Sequence, residues 1–174
     1  MKKILIVVDM QNDFITGALG TEEAKGTVDE AVRIIDEFEG DIFATYDTHF
    51  EDYPDTLEGK NLPVVHCVKD TEGWQIEDRI MDALCKKGFE PVEKVTFGSV
   101  DLAEIISEKY DISDIEIEIM GLCTDICVVS NALILKANFP EVKITLWEKA
   151  CAGVTPESHN AAITTMKMCQ IDVK

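Results

Sequence analysis

Ile115-Glu116-Ile117-Glu118-Ile119-Met120-Gly121-Leu122-Cys123-Thr124-Asp125-Ile126-Cys127-Val128 changes its rule half-way along. Isoleucine first alternates with glutamate, the period of a strand, and the pattern then runs apolar through Met120. After a short polar turn the chain enters residues 125–136, which are apolar nearly all round. That composition suits a helix buried on two sides, one of which could be a subunit interface, so a homo-oligomer is expected. A strand that hands over to a helix in this way is half of a βαβ unit.

The same alternation continues in both directions. Residues 4–8 read as a buried strand. Residues 27–38 read as a helix with Val28, Ala31, Val32, Ile35 and Phe38 on one face and a Thr27/Glu30 capping box. Residues 41–46 form a second strand, 76–86 a weaker helix and 91–94 a third strand. A helix follows over 99–110, with Leu102, Ala103, Ile105 and Ile106 inward. Beyond the central unit, 142–147 is a fifth strand. Thr155-Pro156 opens the last helix with a cap residue and a first-turn proline, and 171–173 adds a sixth strand. No repeat, low-complexity tract or linker interrupts the series. The expectation is one α/β domain over residues 1–174, a doubly wound, mostly parallel sheet of about six strands flanked by helices.

Composition narrows the function. The chain has 174 residues, 46% of them apolar, enough for a sizeable core. No apolar run approaches the ~18 residues that cross a bilayer. The apolar run after Lys2-Lys3 stops at Asp9 with no small-residue cleavage site behind it, which is not a signal peptide. A cytoplasmic protein is expected. The formal net charge of −18 argues against nucleic acid and anionic membranes as partners. The six cysteines include no Cys-x-x-Cys pair and are expected as free thiols.

In a parallel sheet ligands bind beyond the carboxyl ends of the strands. Asp9, Asp47, His49, Lys94 and Cys127 all fall there, after four different strands. Each alone has a plainer reading: a loop-capping acid, a solvated lysine, a small buried thiol. Together they describe a site. With Thr124 as N-cap, Cys127 occupies a first helical turn, where the dipole and free N–H groups stabilise a thiolate or an oxyanion. Asp9 can exchange a proton, and Lys94 nearby lowers the pKa of both neighbours. Asp47, His49 and a distant His66 offer a metal one oxygen and two nitrogens with open positions. They lie within an aperiodic stretch, residues 47–75, of the kind that is functional or disordered. His159 matches no ligand role and reads as a helix residue near the site or a structural donor.

Val8-Asp9-Met10-Gln11-Asn12-Asp13-Phe14, Glu93-Lys94 with Phe97-Gly98-Ser99, Asp47-Thr48-His49 with Pro63-Val64-Val65-His66, and Gly121 to Val128 as Gly-x-x-Thr-Asp-x-Cys-Val are motifs. Through them the chain resembles the isochorismatase-like cysteine hydrolases, especially the nicotinamidase branch, from Ile4 to about Gln170. The resemblance implies an amidase with Cys127 as nucleophile, Asp9 as acid–base group and Lys94 as the third member. It implies a cis bond between Leu122 and Cys123, with the backbone N–H groups of Cys123 and Cys127 as oxyanion hole. It implies a divalent ion on Asp47, His49 and His66, zinc or alternatively Mn2+ or Fe2+. The substrate would be a small amide, nicotinamide first, cleaved through a thioester and sandwiched by Phe14, Phe97 and Trp74. Two departures touch the pocket: Phe97-Gly98-Ser99 replaces a commoner Ser-Ala-Phe type of ending, and the 47–66 loop lacks a second histidine near the first.

Rival readings are a carbamoyl or ureido amidase, which generally lacks the metal set, and isochorismatase proper, which lacks the cysteine. A thiol-redox binding protein using Cys123 and Cys127 and a structural metalloprotein are further alternatives.

Overall fold

The computed structural model describes residues 1–174. Six strands form one sheet in the order β3-β2-β1-β4-β5-β6, every neighbouring pair parallel. They are β1 (Lys2–Val8), β2 (Asp41–Asp47), β3 (Glu90–Lys94), β4 (Ile115–Leu122), β5 (Lys143–Ala152) and β6 (Asp172–Val173). Ile4 to Val8 are fully buried because β1 is central and covered on both faces, which explains its unbroken apolar run.

Of the eight helices, α1 (Asn12–Ile15), α2 (Glu22–Gly26) and α4 (Leu57–Asn61) are short. The longer ones are α3 (Val28–Glu37), α5 (Asp78–Lys87), α6 (Asp101–Lys109), α7 (Val129–Asn138) and α8 (Pro156–Met168). Helix α3 packs on α5, while α6, α7 and α8 pack in series. Right-handed crossovers put these two groups on opposite faces, because the strand order reverses between β1 and β4. The crevice outside the carboxyl ends of those two strands is where such sheets bind ligands.

Several expectations need correction. The Thr27/Glu30 capping box does not form. Thr27 closes α2 and its hydroxyl donates to the Ala24 carbonyl (2.7 Å), while Glu30 pairs with Arg33. Ile34 rather than Val32 is buried on α3. Helix α5 starts later than expected because Glu77 caps it, accepting from the N–H groups of Arg79 and Ile80. The helix expected over 125–136 is two pieces, a π turn over Thr124–Val128 followed by α7. Helix α7 packs between α6 and α8. Strand β5 runs on to Ala152 through a break in register, with Ile119 opposite Leu146 but Gly121 opposite Cys151.

Gly121 is where β4 can pass. Its φ is +127°, and a Cβ there would stand 2.1 Å from the Val8 carbonyl oxygen. Residues 48–75 hold α4, capped by the Thr56 hydroxyl on the Gly59 N–H (3.0 Å). His49 and Val68 form a parallel bridge that closes this excursion at its base, through His49 N–H to Cys67 O and Lys69 N–H to His49 O (both 2.9 Å). No helix is long and apolar enough to cross a membrane.

Candidate active site

Asp9 ends β1 with a left-handed backbone (φ 46°), which turns it out of the strand. Thr45 on β2 holds it, donating its hydroxyl to Asp9 Oδ1 (2.5 Å) and accepting from the Asp9 N–H (3.2 Å). Oδ2 makes no well-angled hydrogen bond. It is held by charge, with Lys94 Nζ 2.6 Å away, and is the oxygen left to take a proton. Lys94 ends β3, reaches the Thr96 carbonyl (3.1 Å) and lies 3.7 Å from Cys127 Sγ. Asp9, Lys94 and Cys127 therefore meet, all three buried.

Burial pushes the Cys127 thiol well above its usual value, Asp9 adds to the rise, and Lys94 opposes without reversing it. Burial likewise raises Asp9, partly offset by Lys94 and reinforced by Asp47. Lys94 is pulled down by burial but carried above its ordinary value by Asp9 and the other anions. Burial and the Asp9 charge thus act against the expected thiolate, and Lys94 acts for it. Nor does Thr124 cap a helix over Cys127. The residue before the π turn is Cys123, whose side chain makes no cap bond. The Leu122–Cys123 peptide is cis. The Cys123 carbonyl accepts from the N–H groups of Ile126 (3.1 Å) and Val128 (3.0 Å), which winds the turn around Cys127. Buried Asn131 fastens it from behind, donating to the Cys127 carbonyl (2.8 Å) and accepting from the Ser99 N–H (2.9 Å).

Beside the triad stands a second cluster. Asp47 Oδ2 lies 3.0 Å from His49 Nε2 and 3.5 Å from His66 Nε2. Glu58 Oε1, from α4, lies 3.6 and 3.7 Å from the same two nitrogens. Donors about 2.0–2.1 Å from one tetrahedral ion stand roughly 3.3 Å apart, so this set fits a divalent metal. His66 Nδ1 is tied to the Val64 carbonyl (2.8 Å), which leaves Nε2 for the ion. Burial acts to raise the Asp47 carboxyl, but His49, His66 and Lys94 hold it well below the carboxylate range. Its other oxygen, Oδ1, is 3.5 Å from Lys94 Nζ, so Asp47 joins the two clusters. Gln11, three residues beyond β1, fixes that joint, pairing with both the N–H (2.8 Å) and the carbonyl (2.9 Å) of Asp47.

One mostly apolar cavity of about 410 Å³ opens onto Cys123, Cys127, Asp47, Glu58 and His66. Phe14 and Phe97 line it. Trp74 does not: its ring packs on Tyr46 (centroids 5.0 Å) and its N–H donates to the Thr48 hydroxyl (2.9 Å).

The isochorismatase domain matches residues 3–173. The chain belongs to the isochorismatase family. The nicotinamidase of Escherichia coli (strain K12) is 31% identical to it, over 95% of this chain and 90% of that protein. Nicotinamidase/pyrazinamidase PncA from Bacillus subtilis superposes with a TM-score of 0.87 at 29% identity, covering 99% of each chain. A zinc complex of the Pyrococcus horikoshii pyrazinamidase superposes at 0.81 with 25% identity, over 100% of this chain and 99% of the other. Within this family fold, reasoning from sequence missed Glu58, Thr45, Gln11 and Asn131. Glu58 had a signal, being the only acid inside the capped helix of an otherwise aperiodic loop. Thr45 had none, since a threonine in a strand is ordinary.

Proposed function

We propose that this chain is a cysteine amidohydrolase that converts nicotinamide to nicotinate and ammonia. The observation that carries the reading is one cavity lined by Cys127, Asp47, Glu58 and His66 together, with Asp9 and Lys94 against Cys127 and His49 against Asp47. The relatives bearing nicotinamidase and pyrazinamidase names support it.

Cys127 Sγ attacks the amide carbon as its proton passes to Asp9 Oδ2. A thiol held neutral by burial needs a base in contact, and burial makes Asp9 a stronger one. Lys94 keeps that carboxylate aimed and balances the negative charge at Asp9. The oxyanion faces the backbone N–H groups of Cys123 and Cys127, for which we retain the oxyanion-hole role. When the C–N bond breaks, Asp9 returns the proton to nitrogen and ammonia leaves a thioester on Cys127. Water then attacks the acyl carbon, giving a proton to Asp9. The C–S bond breaks and the sulfur takes that proton back.

Asp47, His49, Glu58 and His66 would hold the divalent ion, whose contribution is an electrophilic anchor for a pyridine nitrogen. Phe14 and Phe97 are placed to contact the ring.

The test is ammonia release from nicotinamide, pyrazinamide, benzamide and a ureido compound, with Cys127→Ala and Cys123→Ala alongside. Nicotinamide and pyrazinamide should be good substrates and benzamide a poor one. Cys127→Ala should lose turnover with its metal retained, and Cys123→Ala should be mild. Activity confined to the ureido compound would overturn the substrate. Turnover by Cys127→Ala would overturn the mechanism.

A further inference from the structure

We infer that His159 is a positioning residue for the reaction: through Thr124 it fixes the turn that carries Cys127. This rests on Cys127 being the nucleophile. His159 is the one histidine outside the donor set. It sits in the first turns of α8, and its Nδ1 lies 2.8 Å from the Thr124 hydroxyl oxygen. Thr124 is 0% exposed and is the first residue of the π turn. Either direction of donation makes the same tie.

A second tie runs parallel to it. Both carboxylate oxygens of Asp125 accept from the Val154 N–H (3.2 and 3.1 Å). The consecutive Thr124 and Asp125 thus fasten the turn to the segment joining β5 to α8. Gly153 and Val154 of that segment, with Ala152 at the end of β5, form a wall of the cavity. Gly153 lets α8 lie flush against this wall: a Cβ there would stand 2.9 Å from both the His159 Cβ and its backbone nitrogen. One latch therefore sets the nucleophile turn and this wall together.

The other reading of these atoms is a second catalytic centre. Glu148 Oε1 stands 3.9 Å from His159 Nε2, so carboxylate, imidazole and hydroxyl follow in the order of a hydrolase triad. Burial decides against it. Thr124 is closed to solvent and does not line the cavity, so no acyl group reaches its oxygen.

The experiment compares the full-length wild type with His159→Phe, His159→Asn, Thr124→Val and the His159→Phe/Thr124→Val double variant. Nicotinamide kinetics are read beside hydrogen exchange of the peptides covering residues 121–131. His159→Phe should lower kcat about 10–100-fold, the scale on which a misplaced reacting group acts, with KM changed less than about threefold. Exchange should speed about 3–10-fold in those peptides, as for one lost hydrogen bond, and not in β1. Thr124→Val should match it. The double variant should be no worse than the worse single one, since both remove the same tie. His159→Asn, which keeps a polar group near the Nδ1 position, should recover part of the loss. Folded variants with kcat and exchange within twofold of wild type would overturn the inference, as would single effects that multiply in the double variant. A wild type inactive on nicotinamide whose variants still show the localised exchange would sink the substrate assignment and leave the latch standing.

Discussion

Replacing Thr45 by valine tests how the site holds its base. The two side chains have nearly the same shape, so packing in β2 is kept and only the hydroxyl is lost. That hydroxyl donates to Asp9 Oδ1 at 2.5 Å and accepts from the Asp9 N–H at 3.2 Å, inside a fully buried site. A hydrogen bond to a charged group contributes about 1.5–3 kcal/mol, and water cannot replace it here. For a chain of this length each kcal/mol moves the melting temperature by roughly 2–4 °C, so Tm should fall by about 3–12 °C. Catalysis should suffer separately. With Oδ1 released, the carboxylate can rotate on Lys94 and take Oδ2 off the Cys127 proton, lowering kcat about 10–100-fold. Differential scanning calorimetry and ammonia release at saturating nicotinamide measure the two effects. A Thr45→Val protein with Tm within about 1 °C and kcat within about twofold of wild type would falsify the claim that Thr45 aims Asp9.

Glu58→Gln should weaken metal binding by at least about tenfold, the lower end of what even outer partners of a metal site cost. Competition with a fluorescent chelator measures it, and unchanged affinity would remove Glu58 from the donor set. Gly121→Ala should cost about 3–5 kcal/mol, since its Cβ meets the Val8 carbonyl and its φ is positive. A urea midpoint close to wild type would contradict that. Tyr110→Phe should cost about 1 kcal/mol at pH 7, through loss of the 2.6 Å bond to partly exposed Asp41. That bond, with the lysines nearby and against burial, holds the Asp41 carboxyl below its ordinary value. A depressed carboxyl contributes its stability above the unfolded-state pKa and loses it as pH falls through the folded one. The gap between wild type and Tyr110→Phe should therefore narrow on acidification below about pH 4. A gap that widens on acidification argues against the linkage.

Some of this was legible in the sequence because periodicity reports burial. The run Ile4–Val8 marked a strand covered on both faces, and Thr155-Pro156 marked a helix start that forms with a capping box. Legibility failed where a side chain had two uses. Thr27 and Glu30 have the right spacing to cap α3, yet Ala24 and Arg33 claim them first. Thr124 looks like an N-cap, yet its hydroxyl is spent on a helix 35 residues away. The pull of burial on the Cys127 thiol was not legible, because neighbouring charges can be guessed from spacing whereas desolvation depends on how the whole chain packs around the sulfur. Trp74 follows the metal loop in sequence and turns its ring to Tyr46 instead.

The bridge between His49 and Val68 has a consequence for how such proteins diverge. Glu58 and His66 hang on an excursion whose two ends are already pinned together. Closing a loop costs only about 0.6 kcal/mol more for each doubling of its length. The excursion can therefore be lengthened, shortened or exchanged with little effect on the sheet. Asp9, Lys94 and Cys127 sit on the strand ends and the π turn, outside that segment. On the proposed reading, Glu58 and His66 are therefore separately inheritable from the groups that would break the bond. A lineage can redraft which molecule is held at the far end of the cavity while the cutting end is copied unchanged.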